Sequence, residues 1–420
     1  MLPLLTAYVL VTALSCLLGL LNLRHLRKHG HRVPAELAGS VDPDRLRRIS
    51  EYTADRARLG LVSSLASSAV IGVFVFGGLL ERYAAWVSSL TSSFVIEGIV
   101  FFLLLSLAET VLSLPVNWYA TFRVEARHGF NRTTSGLFWA DLAKGLVISS
   151  VLLVITAAAA FWLIAAAPET WWLWVWGLFV ALSIALLYLG PYVIEPLFFK
   201  MEPIRTEGLV EEVRSLAERA GVHVNRVLTI DASRRSAHSN AYFTGIGRVK
   251  RVVLFDTLLE HLSQREILSV LSHELGHWQK RHILKRIVGL FAVSLAVSFA
   301  AFHLSAWSGL PGLVGANEAS FPMRLVILAL AGSLLSFLTT PLSSWFSRRH
   351  EWEADRFATQ IWGAPDDLAS ALVKLSRENL ANLHPHPWYA AFYYTHPPIT
   401  ERVRSLRASA AILPSAVIPN

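Results

Sequence analysis

The chain has 420 residues, of which 54% are hydrophobic types and 16% charged, with a formal net charge of +8 and 14 tryptophans. Soluble proteins carry about 45–50% apolar and about 25% charged residues, so this composition excludes an ordinary soluble domain and a disordered chain alike. The single cysteine, Cys16, rules out a disulfide scaffold and reads as a small hydrophobe within an apolar run.

Seven stretches reach the roughly 20 apolar residues that crossing a bilayer core of about 30 Å requires. In chain order they cover 3–22, 59–80, 99–119, 145–167, 171–194, 287–306 and 325–346. The first has no Lys or Arg before it and its basic cluster follows, so it reads as a retained span and not a signal peptide. Arg24, Arg27, Lys28, Arg32, Arg45, Arg47, Arg48, Arg56 and Arg58 lie between the first two spans, but only Arg82 lies in the next loop. Arg123, Arg127 and Arg132 follow the third span, and the fourth loop has no basic residue. The positive-inside rule therefore assigns 23–58, 120–144, 195–286 and 347–420 to the cytoplasm. Topology accounts for the positive charge, which removes the argument for a nucleic-acid partner.

The expected organisation is spans one to five with their loops over 1–194 and the first part of a catalytic domain over 195–286. Spans six and seven follow over 287–346, and the second part of the catalytic domain over 347–420. Trp171, Trp172, Trp174 and Trp176 read as an interfacial aromatic belt. Glu109 and Asn117, inside the third span, mark either a polar interior or a hydrogen-bonding partner for a neighbouring helix.

Within 195–286, Leu209, Val213, Leu216 and Ala220 recur at helical spacing before Gly221. Val227–Ile230 reads as a strand, and Asn240–Ile246 with Arg251–Phe255 as a hairpin about Gly247. Ser263 and Glu266 form a capping box that opens a helix predicted over 264–284. That helix carries His273-Glu274-Leu275-Gly276-His277. Histidines four apart share one helical face and can bind one zinc ion, and the glutamate between them can act as general base on a metal-bound water.

A catalytic zinc needs a third protein ligand. A metzincin would have a glycine at 280 and a histidine at 283, where this chain has Lys280 and Ile283. The alternative is a carboxylate on a second helix, and 348–355 offers Glu351, Glu353 and Asp355. Glu351 and Asp355 are one turn apart, suiting one for the metal and one for orienting an imidazole. Spacing alone does not separate Glu351 from Glu353. The remaining histidines take plainer readings. His25, His29 and His31 belong to a basic surface, His384 and His386 to a turn, and His282 to the helix surface off the ligand face. His350 points away from the metal.

With these residues in place, the chain resembles the type-1 CAAX prenyl proteases, seven-span integral-membrane zinc metallopeptidases with a glutamate third ligand. Further blocks match in order: Glu125-Ala-Arg-His-Gly-Phe-Asn131, Glu195-Pro-Leu-Phe198, Ser236-Ala-His-Ser-Asn-Ala-Tyr-Phe243, Val253-Leu-Phe-Asp-Thr-Leu258, and Thr395-His-Pro-Pro398 with Glu401-Arg402. The resemblance implies one zinc ion held by His273, His277 and Glu351, with Glu274 as catalytic base and His396 stabilising the oxyanion. It places Asp355 beside a ligating imidazole and Arg402 as an organising residue of the site. Asn240, Ala241 and Tyr242 would lie on an edge strand that pairs with an extended peptide.

The expected fold is a mainly α, polytopic membrane protein with seven transmembrane helices. Its cytoplasmic zinc metallopeptidase domain would contain a small β-hairpin or sheet. The expected activity is hydrolysis of peptide bonds near the C-terminus of prenylated or membrane-associated substrates by a metal-activated water. A quality-control protease without prenyl selectivity is the alternative. Arginine outnumbers lysine 31 to 7, as in high-GC bacterial genomes, which points to a bacterial inner membrane. The expected partners are a peptide or protein substrate and the lipid bilayer.

Overall fold

The computed structural model describes residues 1–244 and 251–412. Its membrane part begins with α1 (Leu2–His29), α2 (Pro43–Phe76), the short α3 (Leu79–Leu90) and α4 (Phe94–Tyr119). A wide π turn over Ala120–Glu125 prolongs α4. Next come α5 (Ser135–Ala166) and α6 (Trp171–Leu189), the latter running through a second π turn into α7 (Glu195–Phe198). The chain then leaves the spans for strand β1 (Met201–Pro203), α8 (Leu209–Arg219), and strands β2 (Arg226–Ile230), β3 (Ala241–Thr244) and β4 (Arg251–Phe255). After α9 (Asp256–His261) and α10 (Gln264–Gln279) it returns to the membrane as α11 (His282–Ser305) and α12 (Phe321–Trp362). Three helices close the fold: α13 (Pro365–Glu378), α14 (Pro387–Tyr393) and α15 (Ile399–Ile412).

Among the described residues seven helices are long and apolar enough to cross a membrane, and the seven predicted stretches fall on them in order, with 59–80, 145–167 and 287–306 overrunning a helix end. They form a closed ring. α1 packs on α2, the π turn after α4 on α2, α4 on α5, α5 on α6, α6 on α11, α11 on α12, and α12 back on α1. No more than 11% of any span's apolar window is buried, which suits a hollow ring and not a packed bundle. Glu109 and Asn117 are exposed and their side chains make no hydrogen bond or ion pair among the described residues, so neither is a buried partner for a neighbouring helix.

Loops that alternate in charge gather at opposite ends of this ring. At one end Leu37, Ile49, Tyr52, Val124 and Phe130 share a core with Ala358, Leu368, Val403 and Leu406. At the other, Leu80, Val87 and Phe101 pack with Leu310, Val314 and Met323. The end of α12 and helices α13 and α15 therefore sit on the side that carries the basic loops.

The sheet has the order β1-β2-β4-β3, with β2 and β4 parallel and both edges antiparallel. Sequence periodicity locates β2, β3 and β4 but misses β1 and the parallel pairing. The β3–β4 pair is antiparallel, as the hairpin reading requires. Its turn at Gly247, with Ile246, lies outside the described residues. β4 is the buried middle strand, with Val252, Val253 and Leu254 fully covered. β3 is an edge strand and lies beside α10.

Candidate metal centre

The site is assembled from α10, α12 and the segment that opens α15. A reciprocal cap starts α10: the Ser263 backbone N–H donates to Glu266 Oε2 (2.8 Å), and the Glu266 N–H donates to Ser263 Oγ (3.4 Å). Glu266 also accepts from Ser370 Oγ (2.7 Å) and Lys374 Nζ (2.8 Å), tying α10 to α13. Burial opposes ionisation of this carboxyl, yet Lys374 and the surrounding donors hold its pKa below the ordinary value.

Leu268, Leu271 and Leu275 bury one face of α10, and Gly276 lets the helix lie directly on α12. A Cβ at Gly276 would come within 3.0 Å of Ala354 Cα and 3.1 Å of its carbonyl oxygen. That close approach brings the two histidines to Glu351. His273 Nε2 lies 3.2 Å from His277 Nε2 and 3.3 Å from Glu351 Oε2, and His277 Nε2 lies 3.2 Å from Glu351 Oε1. Among the described residues these three form the one group able to hold a metal ion, with one donor atom from each within 4.8 Å of the others. Glu351 is only 2% exposed, and its Oε2 has no aligned hydrogen-bond donor despite the nearby imidazole. Oε2 lies 3.3 Å from His273 Nε2 and 3.7 Å from Arg402 Nη1, and Oε1 faces His277; a buried carboxylate with an unsatisfied oxygen beside two imidazole nitrogens fits a cation.

Behind His273, Asp355 Oδ1 lies 2.8 Å from Nδ1 and accepts its proton. Arg402 grips the same carboxylate with both forks, Nε to Oδ2 at 2.9 Å and Nη2 to Oδ1 at 2.6 Å. Asp355 and Arg402 are both buried, so the pair is held in a dry setting. Glu274 is partly exposed and makes no hydrogen bond or ion pair among the described residues. His396 is 63% exposed, with Nε2 3.4 Å from Glu351 Oε1. These seven residues lie together around one point of the structure.

The predicted edge-strand residues divide. Asn240 is exposed, and its Oδ1 accepts from the Ala241 N–H (2.8 Å). Ala241 is buried. The Tyr242 side chain turns to the opposite core with Phe199, Met201 and Phe255, so that only its backbone is available at the edge. Burial, with Glu195 nearby, pushes its phenol up to about 12.

Glu353 points away from the metal group, pairing with His282 at 3.1 Å and Arg349 at 3.5 Å. Two readings need correction. The helix predicted over 264–284 breaks after Gln279, because Arg281 adopts a left-handed backbone (φ 56°, ψ 33°) before α11 starts. His282 is consequently not on the helix surface but 1% exposed, with its ring against His277. No glycine or proline marks the break, so periodicity gives no signal for it.

A cavity of about 540 Å³ opens beside His396 and Arg402, and one of about 760 Å³ is lined by Ser15, Gly19, Tyr52, Arg56 and Ser64 of α1 and α2. Both are also lined by Asn379, Ala381, Asn382, Tyr393 and Tyr394, so they are neighbours that share a wall.

The fold and this donor group are those of a multi-pass membrane metallopeptidase. Residues 22–200 match the family model described as CAAX prenyl protease N-terminal, five membrane helices, and residues 203–410 match peptidase family M48. The chain is 31% identical to a CAAX prenyl protease 1 homolog of Mus musculus, covering 91% of this chain and 90% of that one. It is 30% identical to the homolog of Oryza sativa, over 89% and 90%. The crystal structure of S. mikatae Ste24p superposes with a TM-score of 0.88 at 27% identity, covering 96% of this chain and 98% of that one. The chain belongs to peptidase family M48, within its CAAX prenyl protease branch, and is a membrane-embedded metallopeptidase.

Proposed function

We propose that this metallopeptidase uses one zinc ion, held by His273, His277 and Glu351, to cut peptide bonds near the C-terminus of prenylated or membrane-associated substrates. The carrying observation is the spacing of the donors. In a tetrahedral zinc site with bonds of about 2.0–2.1 Å, ligand atoms stand about 3.3–3.4 Å apart. The two Nε2 atoms stand 3.2 Å apart, and each lies 3.2–3.3 Å from one of the two Glu351 oxygens, so the group has the size that such a site needs.

Zinc, when bound, supplies a Lewis acid that polarises the scissile carbonyl and acidifies a water. The chain's own residues do the rest. Glu274, unpaired and reachable, takes the proton from the attacking water and returns it to the leaving nitrogen. His396, open to solvent beside Glu351, donates to the oxygen on which charge develops. Asp355, held by Arg402, keeps the His273 proton on Nδ1 and so leaves Nε2 free to ligate. The free edge of β3, beginning at Asn240 and Ala241, hydrogen-bonds the extended substrate main chain. The substrate's C-terminal region occupies the neighbouring cavities, and the basic loops favour a cytoplasmic position for the site.

The named relatives favour prenylated substrates. The arginine-rich composition favours a bacterial inner membrane and a broader, quality-control substrate range. Purified protein and its Glu274→Gln variant, assayed on a farnesylated CAAX peptide and its unprenylated twin, separate these readings. Preferential cleavage of the farnesylated peptide supports the first, and equal cleavage of both refutes prenyl selectivity. Activity surviving in Glu274→Gln refutes the assignment of the base.

A further inference from the structure

The break between α10 and α11 leaves His282 and Glu353 with no part in the scheme above. The left-handed backbone at Arg281, which bulky residues rarely adopt, turns His282 back toward α10. His282 Nδ1 lies 3.1 Å from His277 Nδ1, and His282 Nε2 lies 3.1 Å from Glu353 Oε2. The His282 ring is 1% exposed and stacks on His350 at 4.0 Å and 10°.

Proton bookkeeping gives this chain of contacts a direction. His277 Nε2 faces the metal group, so its proton sits on Nδ1 and must be donated. The lone pair it meets is His282 Nδ1, which leaves the His282 proton on Nε2, directed at the Glu353 carboxylate. Every donor then has an acceptor, and the contacts hold the His282 ring in one orientation. Glu353 stands two residues from Glu351 on α12, so the relay also links the helix that bears the third ligand to the opposite imidazole.

We propose that His282 and Glu353 are positioning residues for the metal: the Glu353–His282 pair fixes the tautomer and ring orientation of His277, as Arg402–Asp355 does for His273. The proposal rests on His277 being a zinc ligand. Neither residue touches substrate.

The test uses full-length protein loaded with zinc or cobalt(II) and the variants His282→Phe, His282→Gln and Glu353→Gln. The readouts are the rate of zinc release into a chromogenic chelator and the visible spectrum of the cobalt form. His282→Phe keeps a ring on His350 but accepts nothing from His277. It is expected to release zinc about 10–100-fold faster and to shift the cobalt bands. His282→Gln, whose amide oxygen can accept that proton, is expected to recover most of the retention, and Glu353→Gln to fall between. Wild-type release rates and cobalt spectra in the variants overturn the proposal, as does a lower melting temperature with an unchanged spectrum. If His282→Phe does not fold, Glu353→Ala, at a side chain 25% exposed and leaving His282 Nε2 no acceptor, decides alone: wild-type release overturns it. A wild-type protein that binds no zinc defeats the metal reading itself, whereas zinc binding with indifferent variants defeats only this inference.

Discussion

Replacing Arg402 with methionine isolates what the buried guanidinium does. Methionine keeps much of the apolar stem but removes two hydrogen bonds to Asp355, at 2.9 and 2.6 Å, and the cation that lies against that carboxylate and 3.7 Å from Glu351 Oε2. Asp355 is 3% exposed and cannot recover the loss from water. Removing one partner of a buried ion pair costs about 3–5 kcal/mol. At about 2–4 °C per kcal/mol for a folding unit of roughly 150–250 residues, Tm falls by about 6–20 °C. The Asp355–His273 bond is loosened as well, so zinc affinity drops by about 10–100-fold. Adding Asp355→Leu removes the stranded charge and is expected to restore most of the stability but not the zinc affinity, because His273 then has no acceptor. Thermal unfolding in detergent and chelator competition read the two effects separately. An Arg402→Met protein that melts within about 2 °C of wild type and keeps its zinc would refute the reasoning.

Gly276→Ala puts a methyl group into the contact with Ala354, and overpacking of this kind costs about 1–3 kcal/mol. It is expected to weaken metal binding by separating α10 from α12; unchanged zinc stoichiometry and affinity would contradict that. Glu266→Gln is expected to lower stability by about 1–3 kcal/mol at neutral pH. Because the folded-state pKa of Glu266 is depressed, its contribution is present above the ordinary 4.5 and is lost as pH falls through the lower folded value. Wild type and variant should therefore converge in acid, and a constant difference in melting temperature down to low pH would argue against this. Removal of metal by a chelator is expected to abolish peptide cleavage and zinc to restore it, as measured by product formation; undiminished turnover by metal-free protein would exclude the metal mechanism.

Local signals made much of this molecule legible. Apolar runs locate the spans because a bilayer imposes length and composition directly. The capping box locates α10 because Ser263 and Glu266 satisfy each other within one turn. The donors His273 and His277 follow from helical spacing alone. The rest depends on contacts between distant segments. Glu351 and Glu353 are equivalent in spacing, and only the rotation of α12 against Gly276 turns one toward the histidines and the other toward His282. The parallel pairing of β2 with β4 joins residues 226–230 to 251–255 through an intervening strand, with no turn signal to announce it. The break at Arg281 follows from tertiary packing, since its composition favours a continuing helix.

The 42-residue α12 runs without interruption from the membrane to the metal group. Glu351 lies five residues beyond the predicted end of the seventh span, which at 1.5 Å per residue sets it about 7–8 Å above the hydrocarbon boundary. An extended peptide covers about 3.3–3.6 Å per residue, so a chain anchored in the bilayer spans that height in about two residues. Under the proposed function the helix acts as a measuring post: bonds close to a lipid anchor would come level with the metal group, and bonds farther along would be carried past it.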